Sequence, residues 1–216
     1  MLHTLPNATV SFVAAPAIRL FSDDPRIGLV GVRFPVELRA EGLDASRPST
    51  WPAIDGRLEY VGGRLLYMPP CADIQQDVAM DVAFALRSWS ESRPGFVVGG
   101  NEAGMKLGGD VRAADAAVWR AADLGPRTGH VRTVPPILAV EVAGEDEEER
   151  VLRDKARWYL NHGVSTVWLV LPDTREVIVI RLDGETRHAA LDRLPVDAQL
   201  PGLEPDVAQL FVQLDR

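Results

Sequence analysis

The sequence predicts an α/β domain: a mixed β-sheet flanked by at least two α-helices. Three patterns carry that prediction. Two short strand-like runs are joined by Gly62-Gly63, two segments show helical apolar spacing, and two runs near 137–143 and 166–171 are almost continuously apolar.

The hairpin is expected at Leu58 to Val61 and Arg64 to Met68, where Gly-Gly supplies the positive φ of a tight turn and Pro69-Pro70 closes the unit. Between Ala72 and Ser92 the residues Ile74, Val78, Val82, Leu86 and Trp89 recur at helical spacing, which predicts an amphipathic helix. Phe96 to Val98, Ala103 to Leu107 and Asp115 to Trp119 read as successive strands, parted by turns at Gly99-Gly100 and Gly108-Gly109. Ile137 to Ala143 predicts a strand buried on both faces. A second helix is expected from Glu147 to His162, stopped by Gly163. Thr166 to Leu171 and Glu176 to Leu182 read as a strand pair turning at Pro172-Asp173, with Thr186 to Leu191 as a third strand.

Residues 1–50 are irregular and read as an extension or cap, with short strands at Thr9 to Ala14 and Ile18 to Phe21, ahead of a domain over 51–216. A chain of 216 residues can bury a core without cross-links, and its single cysteine, Cys71, excludes an intrachain disulfide or a cysteine metal cluster. There is no long apolar run and no secretion-signal pattern at the start, so a cytoplasmic location and no membrane partner are expected. The net charge of −8 argues against tight non-specific nucleic-acid binding. Any such role must be local or metal-assisted.

Two carboxylates stand out. Glu141 interrupts the run ILAVEVA, and Asp115 opens DAAVW. Burying an unpaired carboxylate costs several kcal/mol, and paired acids on neighbouring strand ends are oxygen ligands of the kind Mg2+ prefers. Lys155 falls in the middle of the helix side made by Val151, Leu152, Trp158 and Tyr159, so it needs an anionic partner, which Glu141 can supply. Taken singly, each has a plainer reading: a salt bridge for Glu141, strand-end capping for Asp115, a solvent-reaching stem for Lys155. The acidic run Glu145 to Glu149 could supply further metal ligands but reads better as a solvated helix start. His3, His130, His162 and His188 lack metal-ligand spacing, and the five tryptophans read as core.

Five blocks in order, RLEYVGGRLLYMPP, GMKLGGDVRAADAAVW, PPILAVEVAG, DKARWYLNHGVSTVWLV and LPGLEPDVAQLF, resemble the Uma-two-type restriction endonucleases of the PD-(D/E)XK nuclease superfamily. The resemblance implies a restriction-endonuclease-like fold and Mg2+- or Mn2+-dependent hydrolysis of DNA phosphodiester bonds. It makes Asp115 and Glu141 metal ligands, with the Val142 carbonyl as a further one. Lys155 becomes the catalytic lysine, displaced from the strand position now held by Ala143, and Glu59 the acid that completes the site. The sequence departs from the family at Ala114, Gly144 and Ile74, where proline, serine and histidine are usual. A homodimer is expected on symmetry grounds. The alternatives are a catalytically inactive nuclease-fold protein acting as a binding or regulatory module, and a hydrolase of another phosphate ester.

Overall fold

The computed structural model describes residues 35–38, 44, 47–51, 53–145 and 147–216. The strands expected at Thr9 to Ala14 and Ile18 to Phe21 lie outside them. Eleven elements organise the domain: β1 (Val36–Leu38), β2 (Arg57–Val61), β3 (Arg64–Met68), α1 (Asp73–Ser90), β4 (Phe96–Leu107), β5 (Asp110–Arg120), β6 (Leu138–Val142), α2 (Glu149–Asn161), β7 (Thr166–Leu171), β8 (Glu176–Arg181) and β9 (Gly184–His188).

These strands form one mixed sheet in the order β1-β3-β2-β5-β6-β7-β8-β9, with β4 paired to β5. Only β6 and β7 run parallel, and α2 is the crossover between them, as a parallel pair requires. The hairpin β2–β3 turns at Gly62 and Gly63, whose φ values of 57° and 81° are those a two-residue type I′ turn needs. Strand β1 falls within the first fifty residues yet pairs antiparallel with β3, so this part of the N-terminal segment belongs to the sheet.

Each face of the sheet carries its own core. On one face, Val78, Val82, Leu86 and Trp89 of α1 pack with Val118, Val140 and Val142 and with Leu210 and Phe211 of the C-terminal 3-10 segment. On the other, Leu152, Ala156 and Tyr159 of α2 cover Ala117, Ala139, Leu169 and Ile178. The alternation along β6, Val140 to one side and Ala139 to the other, is why this strand reads as a continuous apolar run. Among the described residues no helix is long and apolar enough to cross a membrane.

Two expectations for the middle of the chain need correction. Phe96 to Leu107 is a single strand, not two joined by a turn at Gly99-Gly100. Gly99 serves close packing instead, since a Cβ there would stand 2.8 Å from the Trp119 ring, and Gly100 borders a bulge before Ala103, where Glu102 takes φ 60°. Strand β5 begins at Asp110, five residues earlier than expected, so Asp115 lies in mid-strand and does not open it.

Candidate active site

The site forms where the sheet divides. Strand β4 pairs along the whole of β5 on one edge, so β2 and β6 share the other edge, β2 at Val111 and β6 at Ala116–Val118. Residues 112–115 lie in the gap between them. Backbone amides in such a gap need partners. Glu59 of β2 accepts the Ala113 N–H at 3.3 Å, and Asp115 accepts the Val142 N–H at 2.7 Å. The acids thereby replace part of the missing strand ladder.

Asp115 and Glu141 are brought together by register. Ala116 faces Val140 and Ala117 faces Ala139, so one step further along the same antiparallel pairing Asp115 faces Glu141, on the side of the sheet covered by α2. From α2, Lys155 reaches Glu141 Oε2 at 3.2 Å, and Tyr159 donates its hydroxyl to Glu141 Oε1 at 2.6 Å. They are one turn apart on the helix, so both project onto one carboxylate. Glu59, fully buried, receives the Arg112 guanidinium at 2.9 Å on Oε2. The Arg57 guanidinium lies 3.5 Å from Asp115 Oδ1 and 3.8 Å from Glu59 Oε1.

Glu59, Asp115, Glu141 and Lys155 thus belong to one connected cluster. Five further members were not singled out from sequence. Arg57 and Arg112 occupy ordinary strand positions with nothing local to mark them. Tyr159 read only as part of the apolar side of α2. Glu147 was grouped with a solvated acidic run, yet its carboxylate meets Lys155 Nζ at 2.9 Å. Gln75 donates to the Val142 carbonyl at 2.9 Å, whereas Ile74, aligned with the family's histidine, points outward and is exposed. The helix register makes Gln75, three positions before the buried Val78, an inward residue at this end of α1.

The α2 end of the cluster is pinned by Trp158. Its indole donates to Asp110 Oδ2 at 2.8 Å, Asp110 Oδ1 accepts the Gly62 amide at 3.0 Å, and Arg112 lies 5.4 Å from the Trp158 ring centroid. One aspartate therefore ties α2 to the turn of the β2–β3 hairpin.

The charges are unevenly compensated. Burial acts to raise the Glu141 carboxyl, but Lys155, Arg57, the Tyr159 hydroxyl and Arg112 together hold it below the ordinary range. Burial works against the Lys155 ammonium, and Glu141, Glu147 and Glu59 outweigh it, so it stays charged above its usual range. Asp115 is pushed up to about 6 by burial and by the neighbouring Glu141 charge, more than Arg57 and the Val142 amide offset. Acids Glu59, Asp115, Glu141 and Glu147 outnumber the cations Arg57, Arg112 and Lys155 by four to three in these contacts. Asp115 carries the shortfall.

A family model described as "Uma2: Putative restriction endonuclease" matches residues 49–210. The chain belongs to the Uma2 family. Among solved structures, a putative nuclease from Anabaena variabilis shares the fold with a TM-score of 0.69, covering 77% of this chain and 96% of that one at 17% identity. No curated protein matches the chain. Uma2 membership accords with the restriction-endonuclease-like sheet and with the order of the five sequence blocks.

Among the described residues no three His, Cys, Asp or Glu side chains are arranged to hold an ion. Metal binding in this Uma2 chain would instead rest on two carboxylates, Asp115 and Glu141, and on the Val142 carbonyl, whose second lone pair is left by the Gln75 bond. That set fits Mg2+ or Mn2+, which take one or two carboxylates and complete their shell with water and substrate oxygens. The under-compensated Asp115 is where an added cation would be most stabilising.

Proposed function

We propose that this protein is a metal-dependent endonuclease that hydrolyses phosphodiester bonds of DNA. Asp115, Glu141 and the Val142 carbonyl hold Mg2+ or Mn2+, and Lys155 and Glu59 complete the catalytic set. The carrying observation is that two carboxylates in register across β5 and β6 share one buried site with an ammonium 3.2 Å from the second of them. The family's description and the likeness to the Anabaena putative nuclease support the same reading.

A divalent ion bound here supplies polarisation of a phosphate oxygen and lowers the pKa of a nearby water. The protein's own groups do the remainder. Tyr159 and Lys155 fix the Glu141 carboxylate in one orientation, and the Val142 amide fixes Asp115. Lys155 is the charged donor bonded to Glu141 and stabilises negative charge developing on the phosphate. Glu59 holds Arg112 and the Ala113 amide, so β2 stays docked where the sheet divides. The local cations and the ion answer the repulsion between a chain of net charge −8 and a polyanion. We take residues 51–216, with β1 of the preceding segment added to their sheet, as the nuclease domain, a homodimer as the form that cuts both strands, and the cytoplasm as its location. A monomer by light scattering at working concentration would overturn the dimer.

The test is incubation of the purified chain with supercoiled plasmid and with a matched single-stranded RNA, each with Mg2+, Mn2+ or EDTA. Nicking of DNA with metal, lost in EDTA and in Glu141→Gln, is the expected result. The inactive-module reading is favoured by the Arg57 guanidinium directed at Asp115. Binding of DNA without cutting under any metal would establish that reading and overturn the nuclease.

A further inference from the structure

Among the described residues, Arg57 Nε is the sole buried side-chain nitrogen or oxygen without a hydrogen-bond partner. The rest of the guanidinium is little better placed. Nη1 stands 3.5 Å from Asp115 Oδ1, at the outer limit of a hydrogen bond, and Nη2 meets only the Met68 sulfur, a weak acceptor, at 3.8 Å. The Nε to Glu59 Oε1 separation of 3.8 Å is too long for a bond. Arg112, on the adjacent strand, shows what a seated guanidinium looks like here: two nitrogens on Glu59 Oε2 at 2.9 Å. Arg57 is therefore surrounded by acids and well bonded to none of them.

A guanidinium has five donors, and leaving one buried without a partner costs free energy. What the position does supply is positive charge beside the Asp115–Glu141 pair. We infer that Arg57 is a displaceable counter-cation: it neutralises these carboxylates while no ion is bound, and an ion entering between them releases it from Asp115. It is a positioning residue that sets how tightly the site takes a divalent ion, because ion and guanidinium exclude one another at Asp115. This inference rests on the metal site proposed above.

Calorimetric titration of the full chain with Mn2+ alone tests it. Arg57→Gln removes the competing charge and is expected to bind Mn2+ about tenfold more tightly than the parent, with the attraction between the ion and the carboxylates no longer opposed. Arg57→Lys keeps the charge and is expected to stay within about threefold of the parent. A Gln variant that binds Mn2+ no more tightly than the parent overturns the inference. Should that variant not fold, the parent itself reports: the Arg57 Nε–H resonance, assigned by its loss in Arg57→Lys, is expected to move on adding Mg2+. A resonance that stays in place overturns displacement. A parent and an Arg57→Gln variant that both take up no Mn2+ overturn the metal site and this inference together, whereas a parent that binds it without a gain in Arg57→Gln overturns the role of Arg57 alone.

Discussion

Lys155 Nζ stands 3.2 Å from Glu141 Oε2, with Glu147 Oε1 on its other side at 2.9 Å. The ammonium is thus a buried bridge between a strand acid and an acid just before its own helix. Lys155→Ala leaves Glu141 with Tyr159 but without its nearest cation. Breaking one partner out of a buried pair costs about 3–5 kcal/mol, so the metal-free variant is expected to lose stability of that order in urea denaturation. Mn2+ is expected to restore part of it, since the ion supplies the missing charge. Cutting is expected to fall by about 10² to 10³ even in the metal-bound variant. Activity within about threefold of the parent at full metal occupancy would remove Lys155 from the mechanism.

The hydroxyl of Tyr159 is fully buried and gives its proton to Glu141 Oε1 at 2.6 Å. Tyr159→Phe keeps the ring that packs against the sheet and deletes one charge-assisted bond, worth about 1.5–3 kcal/mol. Chemical denaturation is expected to show that loss. An unchanged midpoint would mean that Glu141 finds another donor.

Asp115 makes stability depend on pH in an unusual direction for a carboxylate. Its folded value is raised from 3.8 to about 6, so below 3.8 both folded and unfolded states carry the proton and burial of the charge costs nothing. As pH rises towards 6 the unfolded chain ionises first, and the folded state is penalised by about 3 kcal/mol once both are ionised. Glu141, held low, acts with the opposite sign, losing its contribution as pH falls. Comparing the parent with Asp115→Asn in EDTA isolates the Asp115 part. The parent's stability relative to the Asn variant is expected to fall between about pH 4 and 7 and to recover with Mg2+ above pH 6. A difference that does not vary with pH would refute the under-compensated burial of Asp115.

Lys155 and Glu141 were legible in the sequence because each breaks a pattern: a cation in the apolar side of a helix, an acid inside an apolar strand. The Gly62-Gly63 hairpin was legible because its turn demands positive φ. Arg57 and Arg112 were not, since an arginine in a half-exposed strand breaks no pattern and only β2 meeting β5 makes it functional. Glu147 was masked by its acidic neighbours. Gly99 misled because a glycine marks a turn and a close contact alike, and only the position of the Trp119 ring decides between them; Gly100 misled because it borders a bulge.

The sequence marked Glu59 only through the family resemblance, and three donors reach it: two arginine nitrogens on Oε2 and the Ala113 amide on Oε1. Through these bonds it holds β2 against β5 and keeps Arg112 in place beside the site. Glu59→Gln leaves two largely buried guanidinium groups short of one negative charge and is expected to cost about 3–5 kcal/mol. If the loss comes from stranding Arg112, then removing that cation as well should recover part of it. The double variant Glu59→Gln with Arg112→Met is therefore expected to be more stable than the sum of the two single costs by at least about 1–2 kcal/mol, the size typical of directly bonded neighbours. Urea denaturation of the four proteins measures the coupling. Additive costs would show that Glu59 and Arg112 act independently, and the tie between β2 and β5 would then rest on the Tyr60–Val111 pairing and the Asp110 bond to the Gly62 amide.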